Sequence, residues 1–192
     1  MIVYVSLWVI CLCIVSSAPA KKEDLPDLIK ALNESKFEHA LSLAKEGTGI
    51  NAKDRNDATP LHLALKDYNM KWNEKEEIVK ALLESGADAN AIAGNYGWTP
   101  LLRAAICGKT EMAKMFMEKG ADVMAKTKSG VFTPLMNAAS GNYEEIVKTL
   151  LKDKRVKDTI NAINDNYTAL RCARENGYAN IVDILEKNGA RE

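Results

Sequence analysis

The chain has 192 residues, 26 of them basic and 26 acidic, so its formal net charge is zero. This balance provides no electrostatic reason to expect nucleic acid or an anionic membrane surface as a partner. We therefore looked for function in the order of the residues along the chain.

Residues 1–20 differ in composition from everything that follows. They carry no charged side chain, are apolar across Ile2–Val15, and end in the small residues Ala18-Pro19-Ala20. Such a segment is typical of a secretory signal peptide, and its apolar run is short for a membrane span. We expect cleavage after Ala20, or alternatively after Ala18, giving a secreted or periplasmic protein that is not inserted in a membrane. No basic residue precedes the apolar run, so an uncleaved signal that anchors the protein in a membrane is the open alternative.

After residue 25, two sequence phrases recur in register. The first phrase occurs as TPLHLAL at 59–65, TPLLRAA at 99–105, TPLMNAA at 133–139 and TALRCAR at 168–174. The second phrase occurs as EIVKALLESGADANA at 77–91, EMAKMFMEKGADVMA at 111–125, EIVKTLL at 145–151 and NIVDILEKNGA at 180–190. Successive copies of the first phrase begin 40, 34 and 35 residues apart. Two coupled phrases at a nearly constant period indicate one supersecondary unit that is stacked along an axis.

Each phrase has the residue types that a helix requires at its ends. In the first phrase, threonine can accept a backbone N–H as a helix cap, and proline suits the first helical position. In the second phrase, apolar pairs three to four residues apart predict one buried stripe. A glutamate in the first turn and a glycine after the last turn favour the two ends of this second helix. These residues are Glu77, Glu111 and Glu145, and Gly86, Gly120 and Gly189.

The two phrases together resemble the ankyrin repeat, over nearly everything after residue 24. The resemblance implies an all-α solenoid of about five helix-turn-helix units joined by extended hairpin turns. On this basis we assign residues 21–192 to one ankyrin-repeat domain. Its predicted parts are an N-terminal cap unit at 25–58, full repeats at 59–98, 99–132 and 133–167, and a C-terminal cap repeat at 168–192.

Two stretches depart from the repeat pattern. The stretch YNMKWNEKEE at 68–77 is longer than its counterparts, and Asn73 with Glu76 resembles a capping box. This insert therefore lengthens the helices or moves the start of the second helix. In the fourth unit, KDKRVKDTI at 152–160 replaces the Gly-Ala-Asp turn and predicts a longer basic loop. The apolar residues of the insert either pack against a neighbouring unit or contact a partner; they are Tyr68, Met70 and Trp72.

The sequence contains little that suggests catalytic chemistry. It lacks the phosphate-cradling GxxxxGK[ST] phrase, the G-x-S-x-G elbow and the H-E-x-x-H zinc motif. His62 stands in the TPLH phrase, where its ring is expected to hydrogen-bond the backbone and the capping threonine. His39 is expected to be a partly exposed helix residue. Two distant histidines give no metal set, so we expect no metal, no cofactor and no enzymatic activity.

Two further features depend on the compartment. Cys107 and Cys172 are the cysteines that remain after the signal peptide, and their repeat register places them too far apart to form a disulfide with each other. Cys107 either stays an inert thiol or pairs with another molecule. The sequons at Asn33 and Asn166 matter where a eukaryotic cell secretes the chain, and their glycosylation is left open.

The resemblance implies that a partner docks on the concave side, formed by the turn tips and the exposed side of the first helices. We therefore predict a non-catalytic protein–protein interaction module that acts outside the cytoplasm as a monomer, with an unidentified protein partner. The alternative is an envelope-associated structural or protective scaffold that stabilises a co-exported protein. Three aromatic residues precede successive capping threonines and either anchor the partner or pack against the adjacent turn. The candidate partner-binding residues are Arg55, Asn56, Asn95, Tyr96, Trp98, Arg103, Lys128, Phe132, Asn137, Asn166 and Tyr167.

Overall fold

The computed structural model describes residues 26–66, 70–162 and 167–191. The predicted signal peptide, Tyr68 and Asn166 lie outside these described residues. The described residues form eleven helices and contain no strand beyond an isolated bridge. The helices are α1 (Asp27–Asn33), α2 (Phe37–Glu46), α3 (Pro60–Ala64), α4 (Trp72–Glu84), α5 (Pro100–Ile106), α6 (Thr110–Glu118), α7 (Pro134–Ser140), α8 (Glu144–Leu150), α9 (Lys154–Asp158), α10 (Ala169–Glu175) and α11 (Ala179–Lys187).

Ten of these helices form five consecutive pairs, and α9 follows the fourth pair. Each first helix (α1, α3, α5, α7, α10) packs against its own second helix (α2, α4, α6, α8, α11) and against the first helix of the next pair. The second helices likewise pack against one another in sequence order. One apolar core therefore runs the length of the stack, as expected for units that bury their apolar faces against their neighbours. The predicted all-α repeat fold is confirmed, and we number the pairs units 1 to 5.

The capping threonines act as the repeated phrase predicts. The hydroxyl groups of Thr99, Thr133 and Thr168 each accept the backbone N–H three residues ahead, at 3.3, 3.3 and 3.0 Å. The glycines after the second helices have positive φ angles, such as 88° at Gly86 and 79° at Gly120, which a side chain would disfavour. The local chemistry of the phrases therefore sets the ends of most helices.

Asparagine side chains link neighbouring units on the side of the second helices. Asn90 of unit 2 donates from Nδ2 to the carbonyl of Gly120 in unit 3, at 3.1 Å, and its Oδ1 accepts the backbone N–H of Asp122, at 2.7 Å. The same two contacts join Asn51 to the turn of unit 2 and Asn161 to the turn of unit 5. We call each of these an asparagine bridge.

The junction between units 3 and 4 lacks such a bridge among the described residues. Met124 stands at the position of Asn90, and its Sδ lies 3.6 Å from the Oγ1 of Thr159. A cavity of about 140 Å³, lined by residues such as Leu135 and Val156, lies at this junction. The loop expected at 152–160 is wrong in part, because α9 forms there with Asp153 as its N-cap.

The insert of unit 2 lengthens the second helix. Helix α4 has 13 residues and begins at Trp72, where the backbone N–H of Lys71 donates to Oε2 of Glu74 at 2.9 Å. The capping box expected at Asn73 and Glu76 is therefore wrong, since the helix starts before them. Glu77 consequently stands beyond the first turn.

The apolar residues of the insert pack within the stack where the structure describes them. Met70 is buried, whereas Trp72 is 37% exposed and its ring lies close to two ammonium groups. The Nζ atoms of Lys75 and Lys109 lie 4.2 and 3.2 Å from its centroid. Because Lys109 belongs to unit 3, this contact joins the insert to the next unit, as the packing alternative anticipates.

The ring of Tyr143 fills the space beside two glycines, one in unit 3 and one in unit 4. Tyr143 precedes α8, and a Cβ built on Gly108 or on Gly141 would overlap its ring atoms. Gly108 belongs to unit 3 and has a φ of 68°, whereas Gly141 has an ordinary φ of −97°. The close approach of the ring therefore explains the glycine at position 141, where the backbone itself does not require one.

Candidate protein-binding surface

Extended turns precede the first helices of units 2 to 4, and Tyr167 stands just before the capping threonine of unit 5. The turn before unit 3 is closed by two backbone hydrogen bonds between Ala93 and Trp98, both 2.9 Å. Adjacent turns are joined to each other, because the Gly94 N–H donates to the carbonyl of Asn56 and the Lys128 N–H donates to that of Tyr96, both at 2.8 Å. These bonds hold the turns in one row. We call the row the turn surface; its described parts are residues 53–58, 92–98, 126–132 and Tyr167.

The candidate residues differ in how much of them a partner could reach. Six are exposed, namely Arg55, Asn56, Asn95, Tyr96, Lys128 and Tyr167. Phe132 is half-buried. Trp98 and Arg103 are each 9% exposed, and Asn137 is 2% exposed. The burial of Asn137 argues against the direct polar contact expected from the sequence, because its side chain offers a partner almost no surface.

The aromatic residues that precede the capping threonines contact neighbouring side chains of the stack. The rings of Phe132 and Tyr167 are 6.2 Å apart between centroids, so the turns before units 4 and 5 meet through them. The guanidinium groups of Arg103 and Arg171 lie 6.0 and 5.7 Å from the rings of Trp98 and Tyr167. Cations over aromatic faces at these distances are attracted by the ring quadrupole. Packing within the row is therefore established for these rings, and a role in partner binding stays a prediction.

His62 ties the turn before unit 3 to helix α3. Its Nδ1 lies 2.9 Å from the Thr59 hydroxyl, and its Nε2 lies 3.0 Å from the carbonyl oxygen of Trp98. Burial, mainly, lowers the pKa of the ring to about 4, against the opposing effect of the Trp98 carbonyl. A neutral ring that donates from Nε2 and accepts at Nδ1 satisfies both contacts. The structural role expected for His62 is thus seen in its hydrogen bonds.

Two residues of this surface were not predicted from the sequence. Ile92 is 55% exposed, and Lys66 lines a small pocket between units 2 and 3. Alignment of the turns could have found Ile92, because Lys53 and Lys126 hold the same place after the Asn-Ala or Met-Ala pair and are exposed. No repeat position marks Lys66, since it follows the end of α3 where the insert begins.

The titratable groups of the described residues do not form a reactive cluster. No group of three or more His, Cys, Asp or Glu side chains in the described part of the chain is placed to hold a metal ion. Burial raises the pKa of the Cys172 thiol to about 11, so this thiol is a poor nucleophile near neutral pH. In the described part of the chain, Cys107 is half-buried and Cys172 is buried, and neither is in a disulfide.

Comparison with known proteins supports the family suggested by the fold. The family described as ankyrin repeats (3 copies) matches residues 28–127 and 125–191, which together span most of the chain. The chain belongs to the ankyrin-repeat family. No curated protein matches the chain. None of the helices formed by the described residues has both the length and the apolar character needed to span a bilayer.

Proposed function

We propose that the protein is a non-catalytic interaction module that is exported from the cytoplasm and binds a protein partner along the turn surface and the adjacent sides of α3, α5, α7 and α10. Ankyrin repeats are protein–protein interaction modules, which supports the general class. Export is supported by the composition of residues 1–20. Binding along the turn surface is supported by the exposure of its apolar side chains.

The main support for this proposal is the position of the exposed large apolar residues. Among the described residues there are four, and three of them, Ile92, Tyr96 and Tyr167, belong to the turn surface. The fourth, Trp72, already contacts the ammonium groups of two lysines. Exposed aromatic side chains on a rigid support are the usual anchors of a protein interface. Tyr167 also contacts Phe132 and Arg171, so Ile92 and Tyr96 are the two most exposed candidates for anchoring a partner on the turn surface.

The binding test compares two double variants of the full-length protein. Ile92→Ser with Tyr96→Ala removes two exposed anchors, and Lys80→Ala with Glu84→Ala alters the exposed side of α4 as a matched control. We expect the wild type and the control to retain one stoichiometric protein partner in co-purification with mass spectrometry, and the turn variant to lose it. Equal retention by all three proteins would show that the partner binds elsewhere, with the insert at 68–77 as the next candidate.

The compartment is tested on native material by N-terminal sequencing. We expect the protein to begin at Lys21, or at Pro19 after the alternative cleavage, in a soluble fraction. Recovery of an intact Met1 from a membrane pellet would replace the exported module with a membrane-anchored one.

A further inference from the structure

The cavity at the junction of units 3 and 4 has a volume of about 140 Å³. Most of the described side chains that line it are apolar, and they come from three different units. They are Val123 and Met124 of unit 3, Leu135, Val156 and Ile160 of unit 4, and Ala169 of unit 5. A molecule in this cavity would therefore contact three units at once.

Three departures from the repeat pattern meet at this cavity. Met124 stands where Asn90 forms a bridge at the preceding junction. Helix α9 replaces the Gly-Ala-Asp turn and contributes Val156 to the wall. Ala169 is the first residue of α10, whereas α3, α5 and α7 each begin with proline. These changes lie far apart in the sequence, yet all of them border the same space.

The cavity is open to solvent on one side. Leu135 is 6% exposed, whereas Leu61 and Leu101, which hold the same position in units 2 and 3, are 0% exposed. Thr159 also lines the cavity, and it is exposed. A small molecule can therefore enter from this side while the units stay packed.

The hydroxyl groups on the wall already have partners within the protein. The Thr133 hydroxyl accepts the backbone N–H of Met136 at 3.3 Å, and the Thr159 hydroxyl donates to the carbonyl of Arg155 at 2.7 Å. A water molecule held in a protein needs two to four polar partners, and apolar cavities without them stay dry. The interior therefore favours an uncharged apolar ligand over a polar one.

The volume of the cavity sets the size of that ligand. An apolar cavity of ~150 Å³ in another protein binds benzene. The cavity of about 140 Å³ is nearly as large. Met124 and Met136 also line it, and the flexible thioether side chain of methionine adapts to ligands of different shape.

We propose that this cavity binds a small uncharged apolar molecule, an aromatic ring or branched hydrocarbon of about six to eight non-hydrogen atoms. Because its walls belong to units 3, 4 and 5, the bound molecule stabilises the packing of these units against one another. The site is separate from Ile92 and Tyr96, and the inference does not depend on the proposed function.

The test titrates methyl-labelled full-length protein with benzene as the probe. We expect saturable shifts of the methyl signals of Met124, Leu135, Val156 and Ile160, with a dissociation constant on the order of 0.1–1 mM. The methyl signals of Leu28, in the core of unit 1, should stay in place. Benzene at about ten times this constant should raise the unfolding temperature by about 3–6 °C.

Two further probes define the chemistry of the site. Benzoate has the same ring with a carboxylate and should bind at least about tenfold more weakly than benzene, because its charge loses solvation in an apolar cavity. N-acetyl-phenylalanine amide presents the ring as a protein side chain would. It should also bind more weakly, since the proposed ligand is a free molecule.

Variants that fill the cavity decide whether this space is the site. Ala169→Pro gives α10 the first residue of the other repeats, and Thr168 before it has the extended backbone that suits a residue preceding proline, with φ −123° and ψ 162°. We expect it to weaken benzene binding at least about fivefold. Val156→Leu adds one methylene group to another wall and should act in the same direction. Ile92→Ser with Tyr96→Ala is the control and should bind benzene as the wild type does.

Several results would overturn the inference. With the wild type, these are the absence of saturable shifts, equal shifts at Leu28, and binding of benzoate or the phenylalanine derivative as tight as that of benzene. Unchanged benzene binding by both filling variants, with unfolding temperatures that show them to be folded, would also overturn it. Loss of the protein partner by the Ile92 and Tyr96 variant concerns the proposed function alone, because the cavity lies elsewhere.

Discussion

At the scale of single residues, His62 shows why a buried histidine can be structural. Its ring joins the cap of α3 to the carbonyl of Trp98, one turn along the stack. The backbone N–H of Thr59 donates to Nδ1 at 3.3 Å, so this nitrogen must accept, and a protonated ring has no acceptor nitrogen. The neutral form is therefore the form that fits, in agreement with its lowered pKa.

The neutral form of the His62 ring in the folded protein predicts that acid lowers the stability of the fold. The pKa of His62 is about 4 in the folded protein and about 6.5 in the unfolded chain, so the unfolded state binds more protons between these values. The free energy of unfolding should fall by up to about 3 kcal/mol as the pH is lowered through this window. Above about pH 6.5 the neutral His62 ring should make its full contribution to the free energy of unfolding.

Urea unfolding at several pH values measures this effect. His62→Gln is the reference, because glutamine can hydrogen-bond and does not titrate in this range. The stability advantage of the wild type over His62→Gln should narrow as the pH falls from about 7 to about 4.5. A difference that stays constant over the whole range would assign the acid sensitivity to other groups.

At the scale of elements, the two departures from the repeat have different consequences. The insert before α4 adds turns to a helix and places Trp72 against Lys109 of the next unit. The departure after α8 replaces a glycine turn by α9 and leaves a cavity beside it. The first change thus adds a contact between units, and the second is accompanied by a cavity between units.

The packing of Tyr143 gives a prediction for a single helix end. Gly141→Ala should destabilise the protein by about 1–3 kcal/mol, because the new methyl group overlaps the Tyr143 ring, as in other overpacked sites. The φ of −97° at this position suits alanine, so backbone strain is not the cause. Thermal or urea unfolding measures the change.

A double-mutant cycle separates the steric effect from other effects. In a Tyr143→Ala background the same Gly141→Ala change should cost much less, since the ring is gone. Gly177→Ala serves as a contrast, because its Cβ would meet no atom within 4 Å while its φ is 74°. An equal cost of Gly141→Ala in both backgrounds would rule out the proposed overlap.

The sequence predicts the helix pairs because their signals are local. A threonine, a proline and a glycine each act within one turn of helix. Every copy of the phrase therefore contains the residues that start or end its own helix. The start of α4 was misplaced because its capping contact uses the backbone N–H of Lys71, and lysine is not a capping residue type. Helix α9 was missed because Val156 is its one buried residue, which gives no apolar period.

The candidate binding surface was predicted less well, for a related reason. The repeat register predicts that the turn tips lie on one side of the stack. The hydrogen bonds between adjacent turns agree with this placement. Register does not reveal which tip residues are covered. Trp98 and Tyr167 hold equivalent positions, yet the first is 9% exposed and the second is 38% exposed. That difference depends on neighbours from other units, which no single copy of the phrase contains.

At the scale of the whole molecule, the asparagine bridges connect units that are about 30 residues apart in the chain. Each bridge makes two hydrogen bonds to backbone groups of the next unit. Asn90→Ala should therefore destabilise the protein by about 1–2 kcal/mol and lower its unfolding temperature by about 2–6 °C. Asn95→Ala, at an exposed turn tip, is the control. Equal unfolding temperatures for the two variants would show that the bridge contributes nothing measurable.

The missing bridge between units 3 and 4 has a consequence for how the molecule opens. In a linear array, cooperativity depends on the coupling between nearest neighbours, so the loss of a linking contact at one junction favours division of the array there. Here Met124 and a cavity stand where the other junctions have an asparagine bridge. Units 4 and 5 should therefore form a separate foldon that unfolds while units 1 to 3 stay folded. Native-state hydrogen exchange should give the slowest amides of α7, α8, α10 and α11 one common opening free energy, below that of α3 to α6. A single value for all eight helices would mean that the stack opens as one body.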